Sequence, residues 1–270
     1  MSVTREQFQR FVQERKYLQN VSPNTILIYE AAWRKWERFG PDSVSFVAGM
    51  RNSGATAIGC NIYIRALNAC FHWAGEKPIP KLKAEDKIPP TFSIPDVQKL
   101  LKFRPSKRQT RTHLLALLLL DTGLRISEAL SLKISDIDWD NMLFSVRGKG
   151  GKNRLVPFSL ELRRRIWKSS SRHGYELLFC SRDGNPLIYR NVMRSVKNLC
   201  AKAGIKTPSR LLHSFRHTFA VNYLRNGGSV FHLQKALGHS SLEMSRRYAN
   251  LLTEDLQQMQ QKVSLLNRMR

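Results

Sequence analysis

The stretch Met142-Leu143-Phe144-Ser145-Val146-Arg147-Gly148-Lys149-Gly150-Gly151-Lys152-Asn153-Arg154-Leu155-Val156-Pro157 decides how this chain folds. Its ends, 142–146 and 154–157, are β-prone runs, and between them lies the glycine-rich turn 148–152. That is the pattern of an antiparallel hairpin, and the whole segment 134–158 reads as strands. Outward from it the texture turns helical. Helices are expected over 95–104 and 110–121, then again from Ser159 and from about 188 to the C-terminus. The first 75 or so residues are helical too. Phe8, Phe11 and Val12 share one face of an opening helix. Ser22-Pro23 supplies a cap and a first-turn proline for Ile26, Tyr29, Trp33 and Trp36, and Ile58, Ile62, Leu67 and Phe71 mark a third helix. The expected fold class is mainly α with a small antiparallel β-sheet.

Proline marks the division of the chain. Five of the eleven prolines (Pro78, Pro80, Pro89, Pro90 and Pro95) fall between Lys77 and Pro95, where the missing amide donor disfavours helix and central strand alike. A boundary near residue 85 follows, with a helical unit over 1–80, a linker over 81–92 and a mixed α+β unit over 93–270. At the far end, Leu256, Met259, Val263 and Leu266 form the stripe of an amphipathic helix over 253–270.

Charge narrows the function. Lys and Arg total 45 against 20 Asp and Glu, a formal net charge of +25 over 270 residues. So large an excess repels itself in the folded state and points to an anionic partner. The basic residues run through the whole chain, which favours nucleic acid over a membrane surface. Candidates for phosphate contact are Lys35 and Arg65 on outer helical faces, Lys107, Arg108 and Arg111 before the apolar run Leu114 to Leu120, and Lys152 in the hairpin turn. The longest apolar run, Leu114 to Leu120, is far too short to span a bilayer, and no signal peptide opens the chain. Cys60, Cys70, Cys180 and Cys200 are widely spaced and read as free buried thiols. The expectation is a protein of the reducing cytoplasm.

Several short motifs can carry chemistry. Gly148-Lys149-Gly150-Gly151-Lys152 lacks the spacing of an ATP-binding phosphate loop, but it sets Lys149 at a hairpin tip that can reach into a groove. In Asp121-Thr122-Gly123-Leu124-Arg125-Ile126-Ser127-Glu128, an apolar helix stops at glycine and a new one begins on an arginine. The helix dipole does not favour a cation there, so Arg125 implies a nearby anion or a pairing with Glu128. His213, Arg216 and His217 sit at i, i+3 and i+4 on one helical face. The glutamate of a zinc-protease pair is absent and no third ligand clusters with them, so no metal is expected. Leu237-Gly238-His239 ends a helix at glycine, and Tyr248 follows nine residues after His239.

Taken in order, Thr-Gly-Leu-Arg-Ile-Ser-Glu at 122–128, Lys149, His213-x-x-Arg216, Leu-Gly-His at 237–239 and Tyr248 resemble the tyrosine recombinase (integrase) family. The likeness is greatest to its simple Xer-type, phage and transposon members, and it covers nearly the whole chain. Phe215, where many members have leucine, and Ala249-Asn250 after the tyrosine depart from the common pattern without removing a reactive group. The resemblance implies a helical core-binding (SAM-like) domain and an α+β catalytic domain that clamp double-stranded DNA. It further implies catalysis by Arg125, Lys149, His213, Arg216, His239 and Tyr248, with Glu128 in support. Tyr248 would attack the phosphorus, Arg125 and Arg216 would clamp the non-bridging oxygens, and His213 would be the general base. Lys149 would protonate the leaving 5′ oxygen, and His239 would bind the scissile phosphate. The product is a 3′-phosphotyrosyl link that a second DNA end can reverse, without cofactor or metal. His217 is read as a core or supporting histidine outside the catalytic set.

The resemblance also implies a homo-tetramer on the recombination site, a monomer or dimer when free, with helix 253–270 docked on a neighbouring protomer; the apolar stripe alone equally allows that helix to pack on its own domain. Two rival readings remain beside it. A type IB topoisomerase uses the same nucleophile and intermediate, and a catalytically silent DNA-binding regulator would need neither Tyr248 nor Lys149.

Overall fold

The computed structural model describes residues 3–84, 89–148, 153–170 and 174–238, together with 248 and 264. The chain separates into two compact units, Met1–Lys87 and Ile88–Arg270.

Four helices build the first unit: α1 (Arg5–Tyr17), α2 (Pro23–Phe39), α3 (Ser43–Asn52) and α4 (Ala57–Trp73). Each begins on a residue whose side chain satisfies orphan amides, namely Thr4, Ser22, Asp42 and Thr56. The core is aromatic. Phe8 stacks on Trp33 at 4.5 Å, and Trp36 meets Phe71 edge-on at 5.1 Å. Helix α3 differs from the three-helix expectation, because its ten residues bury just Phe46 and Met50 and offer a weak apolar period. The buried face of α4 also differs. Cys60, Ile64, Leu67, Cys70 and Phe71 point inward, while Ile58 and Ile62 are exposed.

The proline-flanked segment after α4 is not loose at its start. Asn68 exchanges two hydrogen bonds with the Ile79 backbone, and Asn61 does the same with Leu82. Two amide side chains thus supply the partners that a neighbouring strand would give. The segment expected to act as a linker from residue 81 therefore remains tied to the helical unit at Leu82.

In the second unit the apolar run lies in α6 (Thr110–Thr122), whose residues 113–119 are all buried. It packs among α8 (Leu160–Ser170), α9 (Tyr189–Lys202) and α10 (Leu211–Arg225), with α5 (Ile94–Lys102) before it. Helix α6 stops at Gly123 in the left-handed conformation, φ +63°. A short helix α7 (Ile126–Leu130) and one 3-10 turn lead into a three-stranded antiparallel sheet of order β1-β2-β3. Its strands are β1 (Ile137–Asp138), β2 (Leu143–Arg147) and β3 (Asn153–Pro157). The hairpin register pairs Phe144 with Val156 and Val146 with Arg154. Helix α10 leads to α11 (Val230–Leu237), which ends at Gly238, also left-handed at φ +62°. The whole is mainly helical with one small antiparallel sheet, as the sequence pattern leads one to expect.

All four cysteines are free and buried. Burial pushes the Cys70 thiol up to about 12 and that of Cys200 to about 11, which keeps both unreactive. The helix expected over 253–270 lies outside the described residues, Ser264 apart.

Candidate active site

The site forms where the end of α6, the start of α7, strand β3 and the end of α11 meet. Gly123 makes that approach feasible. A Cβ there would lie 2.3 Å from a ring carbon of Phe219 and 2.8 Å from Leu237 Cδ2. Two residues on, Arg125 starts α7, and Glu128 in the first turn folds back to it. The Arg125 amide donates to Glu128 Oε2 at 2.8 Å, and its guanidinium donates to Oε1 at 2.9 Å. An arginine at a helix start is thus held by an acid that also suits the helix dipole.

Glu128 is 8 % exposed and has a second cation. Strand alternation turns Arg154 to the same face as buried Val156, and its guanidinium meets the Glu128 carboxylate as a fork. The two bonds measure 3.0 and 2.8 Å. Burial alone would raise the Glu128 carboxyl, but the bonds from Arg154 and Arg125 outweigh it and hold the group below its ordinary range.

Arg216 completes the cluster from α10, and it is 6 % exposed. It donates to the carbonyls of Gly123 at 2.9 Å and Leu237 at 2.7 Å. The Leu237 carbonyl also receives a long 3.5 Å bond from Arg125, and the Ala236 carbonyl accepts from Arg154 Nε at 2.9 Å. All three guanidiniums therefore anchor on the C-terminal carbonyls of α11, where the helix dipole favours cations. Burial, and then the neighbouring Arg125, push the Arg216 guanidinium down to about 10. Among the described residues, Arg125, Arg154 and Arg216 thus face one carboxylate, Glu128. The excess positive charge is partly desolvated, an arrangement chemically suited to an anion.

On the same helix His217 Nδ1 lies 2.7 Å from the Tyr248 hydroxyl. Tyr248 is 5 % exposed and packs with Val221, Leu224, Leu233 and Leu237. Burial, then His213 and Arg216, push the His217 imidazole down to about 4. His213 is exposed one turn earlier, and partial burial followed by Arg210, Arg216 and Arg125 lower its ring as well. Both imidazoles are therefore neutral at neutral pH.

The sequence matches the phage integrase family over residues 92–255. Tyrosine recombinase XerA of Thermococcus kodakarensis is 32% identical over 268 residues, covering 93% of each chain. The chain belongs to the tyrosine recombinase family. Tyrosine recombinase XerA of Pyrococcus furiosus is also 32% identical, over 92% of this chain and 91% of that one. Among solved structures, the XerH recombinase bound to a palindromic difH substrate superposes with a TM-score of 0.72 at 22% identity, over 94% of this chain and 84% of that one. The Tn1549 transposon integrase in complex with transposon right end DNA gives a TM-score of 0.74 at 22% identity, over 95% and 99% of the two chains. The activity of this recombinase is site-specific breakage and rejoining of DNA through a tyrosine.

Of the catalytic residues expected from sequence, the recombinase brings Arg125, Arg216, Tyr248 and the supporting Glu128 into the cluster around α11, with His213 beside it. Lys149 and His239 lie outside the described residues, as does Lys152. Of the other basic candidates, Arg65, Lys107, Arg108 and Arg111 are exposed. Lys35 instead lies over the rings of Tyr63 and Phe39, at 5.1 and 6.0 Å. The Arg111 guanidinium is engaged by the Cys180 carbonyl.

Two residues of the site were not in the expected set. In sequence Arg154 reads as an ordinary strand residue, though an arginine on the inward face of a hairpin is itself a signal. His217 reads as a core or supporting histidine, and its Nδ1 lies within hydrogen-bond distance of the tyrosine hydroxyl.

Proposed function

We propose that this recombinase cleaves DNA by attack of the Tyr248 hydroxyl on a phosphorus bound between Arg125 and Arg216. The carrying observation is the desolvated charge excess around the α11 terminus, with the Tyr248 hydroxyl held by the residue next to Arg216. A phosphodiester brings the missing negative charge, and its pentavalent transition state concentrates that charge on the oxygens that guanidiniums grip best. Attack forms the bond from the tyrosine oxygen to phosphorus and breaks the bond to the 5′ oxygen, leaving a 3′-phosphotyrosyl link. The phenol has a reference pKa near 10, so its proton needs an acceptor. His217, pushed down to about 4, is too weak a base for that and orients the hydroxyl instead. His213 takes the proton. Lys149 supplies one to the leaving oxygen, and His239 adds a hydrogen bond to the phosphate. A second 5′ hydroxyl reverses the step without ATP or metal.

The active form in this proposal is a tetramer on double-stranded DNA in the cytoplasm, with helix 253–270 docked on a neighbouring protomer. Exposed Arg65, Lys107 and Arg108 bind the backbone of the duplex. The division of labour proposed is DNA grip by the helical residues 1–80 and chemistry by residues 93–270.

The test is incubation with a pool of nicked duplexes carrying randomised arms, followed by denaturing capture of covalent adducts. The expected result is a DNA-linked peptide containing Tyr248 that disappears in Tyr248→Phe, and sequencing of the trapped DNA reveals the site. An adduct on another residue, or none, overturns the reading.

A further inference from the structure

We propose that Arg154 is a positioning residue for strand cleavage, acting through Glu128 on Arg125 and through Ala236 on the end of α11. The inference deepens the reading of the site given above and rests on it.

Arg154 uses its guanidinium on two elements at once. Nη1 and Nη2 fork onto the two oxygens of Glu128, and Nε donates to the Ala236 carbonyl at 2.9 Å. Its side chain is 13 % exposed and that of Glu128 is 7 %, so the pair is held away from solvent and is geometrically fixed. Glu128 in turn holds Arg125 by backbone and side chain. With both oxygens of the carboxylate engaged by Arg154, the plane of the acid cannot rotate. The Arg125 guanidinium is then fixed against the Leu237 carbonyl that Arg216 shares. Gly238 shows how closely this is built, since a Cβ there would lie 3.0 Å from Cδ and Nε of Arg154.

The position of Arg154 in the hairpin gives the arrangement a second use. It is the second residue of β3, five positions after Lys149 in sequence, and it pairs with Val146 across the ladder. One side chain thereby ties β3 to the start of α7 and to the end of α11. In sequence these three segments respectively follow Lys149, begin at Arg125 and precede His239. Lysine cannot replace this geometry, because a single ammonium cannot span a planar fork and a third acceptor together.

The experiment uses the full-length chain and the duplex captured from the randomised nicked pool. Formation of the wild-type Tyr248 adduct comes first; without it the reading of the site fails and this proposal fails with it. With the adduct in hand, Arg154→Met and Arg154→Lys are compared at saturating protein. Each is expected to lower the single-turnover cleavage rate by about 100-fold, the loss that small misplacements of catalytic groups produce. Half-saturating protein concentration should change by less than about threefold, because the loss falls on the reacting geometry and not on uniform binding.

A pH profile separates positioning from mere folding. Without Arg154, buried Glu128 loses its fork and takes up a proton at higher pH, so the acid limb of cleavage shifts upward in Arg154→Met. In a background already carrying Glu128→Gln the limb should not move when Arg154→Met is added. Unchanged cleavage in Arg154→Met overturns the proposal. So does a loss that follows the drop in melting temperature with no shift of the acid limb.

Discussion

The imidazole of His217 and the hydroxyl of Tyr248 share a 2.7 Å hydrogen bond across 31 positions of sequence. It fixes the direction of the phenol oxygen while the ring packs among Val221, Leu224, Leu233 and Leu237. Replacing His217 by phenylalanine keeps an aromatic ring and removes the partner. Cleavage in His217→Phe should fall by about 10- to 100-fold, the range expected when a reacting group loses its orientation. His217→Gln, which keeps a hydrogen-bonding side chain, should recover part of the loss. Equal rates in all three proteins would remove His217 from the mechanism.

The same histidine gives the fold a pH dependence. Its folded value of about 4 lies below the 6.5 of an unperturbed imidazole. Between those values the unfolded chain binds the extra proton, so stability falls as pH is lowered through the window and is fully present above it. Thermal melts of wild type and His217→Gln from pH 7 to 4 should diverge, with the steeper decline in the wild type.

Glu128 is the one carboxylate among the described residues within the arginine cluster. Glu128→Ala leaves Arg154 and Arg216 desolvated without their counter-charge, a change expected to cost about 3 kcal/mol. Denaturant unfolding measures this directly. Because the folded value of Glu128 is depressed below 4.5, its contribution is present above that pH and is lost as pH falls further.

Gly123 is required by both backbone and space. Gly123→Ala introduces a side chain at φ +63° and pushes it into Phe219 and Leu237. Strain and overpacking together should destabilise the second unit by about 2–4 kcal/mol. A variant with an unchanged midpoint in urea would contradict this account of the turn between α6 and α7.

Lys107 and Arg108 should act on DNA affinity without touching chemistry. With both changed to glutamine, the slope of log affinity against log salt should become about 2 units shallower. Cleavage of bound DNA at saturation should stay unchanged. An unaltered slope would place these exposed cations away from the duplex.

The hairpin and most helices were legible because their signals are local: alternation around glycines for β2 and β3, caps and apolar periods for the helices. Helix α3 was not, since Phe46 and Met50 find their partners in α2 and α4 and its own period is weak. In the site, Arg125, Arg216 and Tyr248 stand out through ordered spacing and chemical type. Arg154 and His217 act through contacts 26 and 31 residues away, and no short window of sequence records such contacts. Their residue types were visible, but their partners were set by packing.

Helix α11 has eight residues, and the carbonyls of its last two hold three guanidiniums. Since the acceptors are main-chain atoms, the side chain at half-buried Ala236 is not what they read. Evolutionary drift at that position can therefore proceed without disturbing the cations. Gaining or losing a single residue within the helix would instead rotate its terminal carbonyls by about 100°, one residue's share of a 3.6-residue turn, and detach all three anchors at once. Here the conserved quantity would be a length, not a letter.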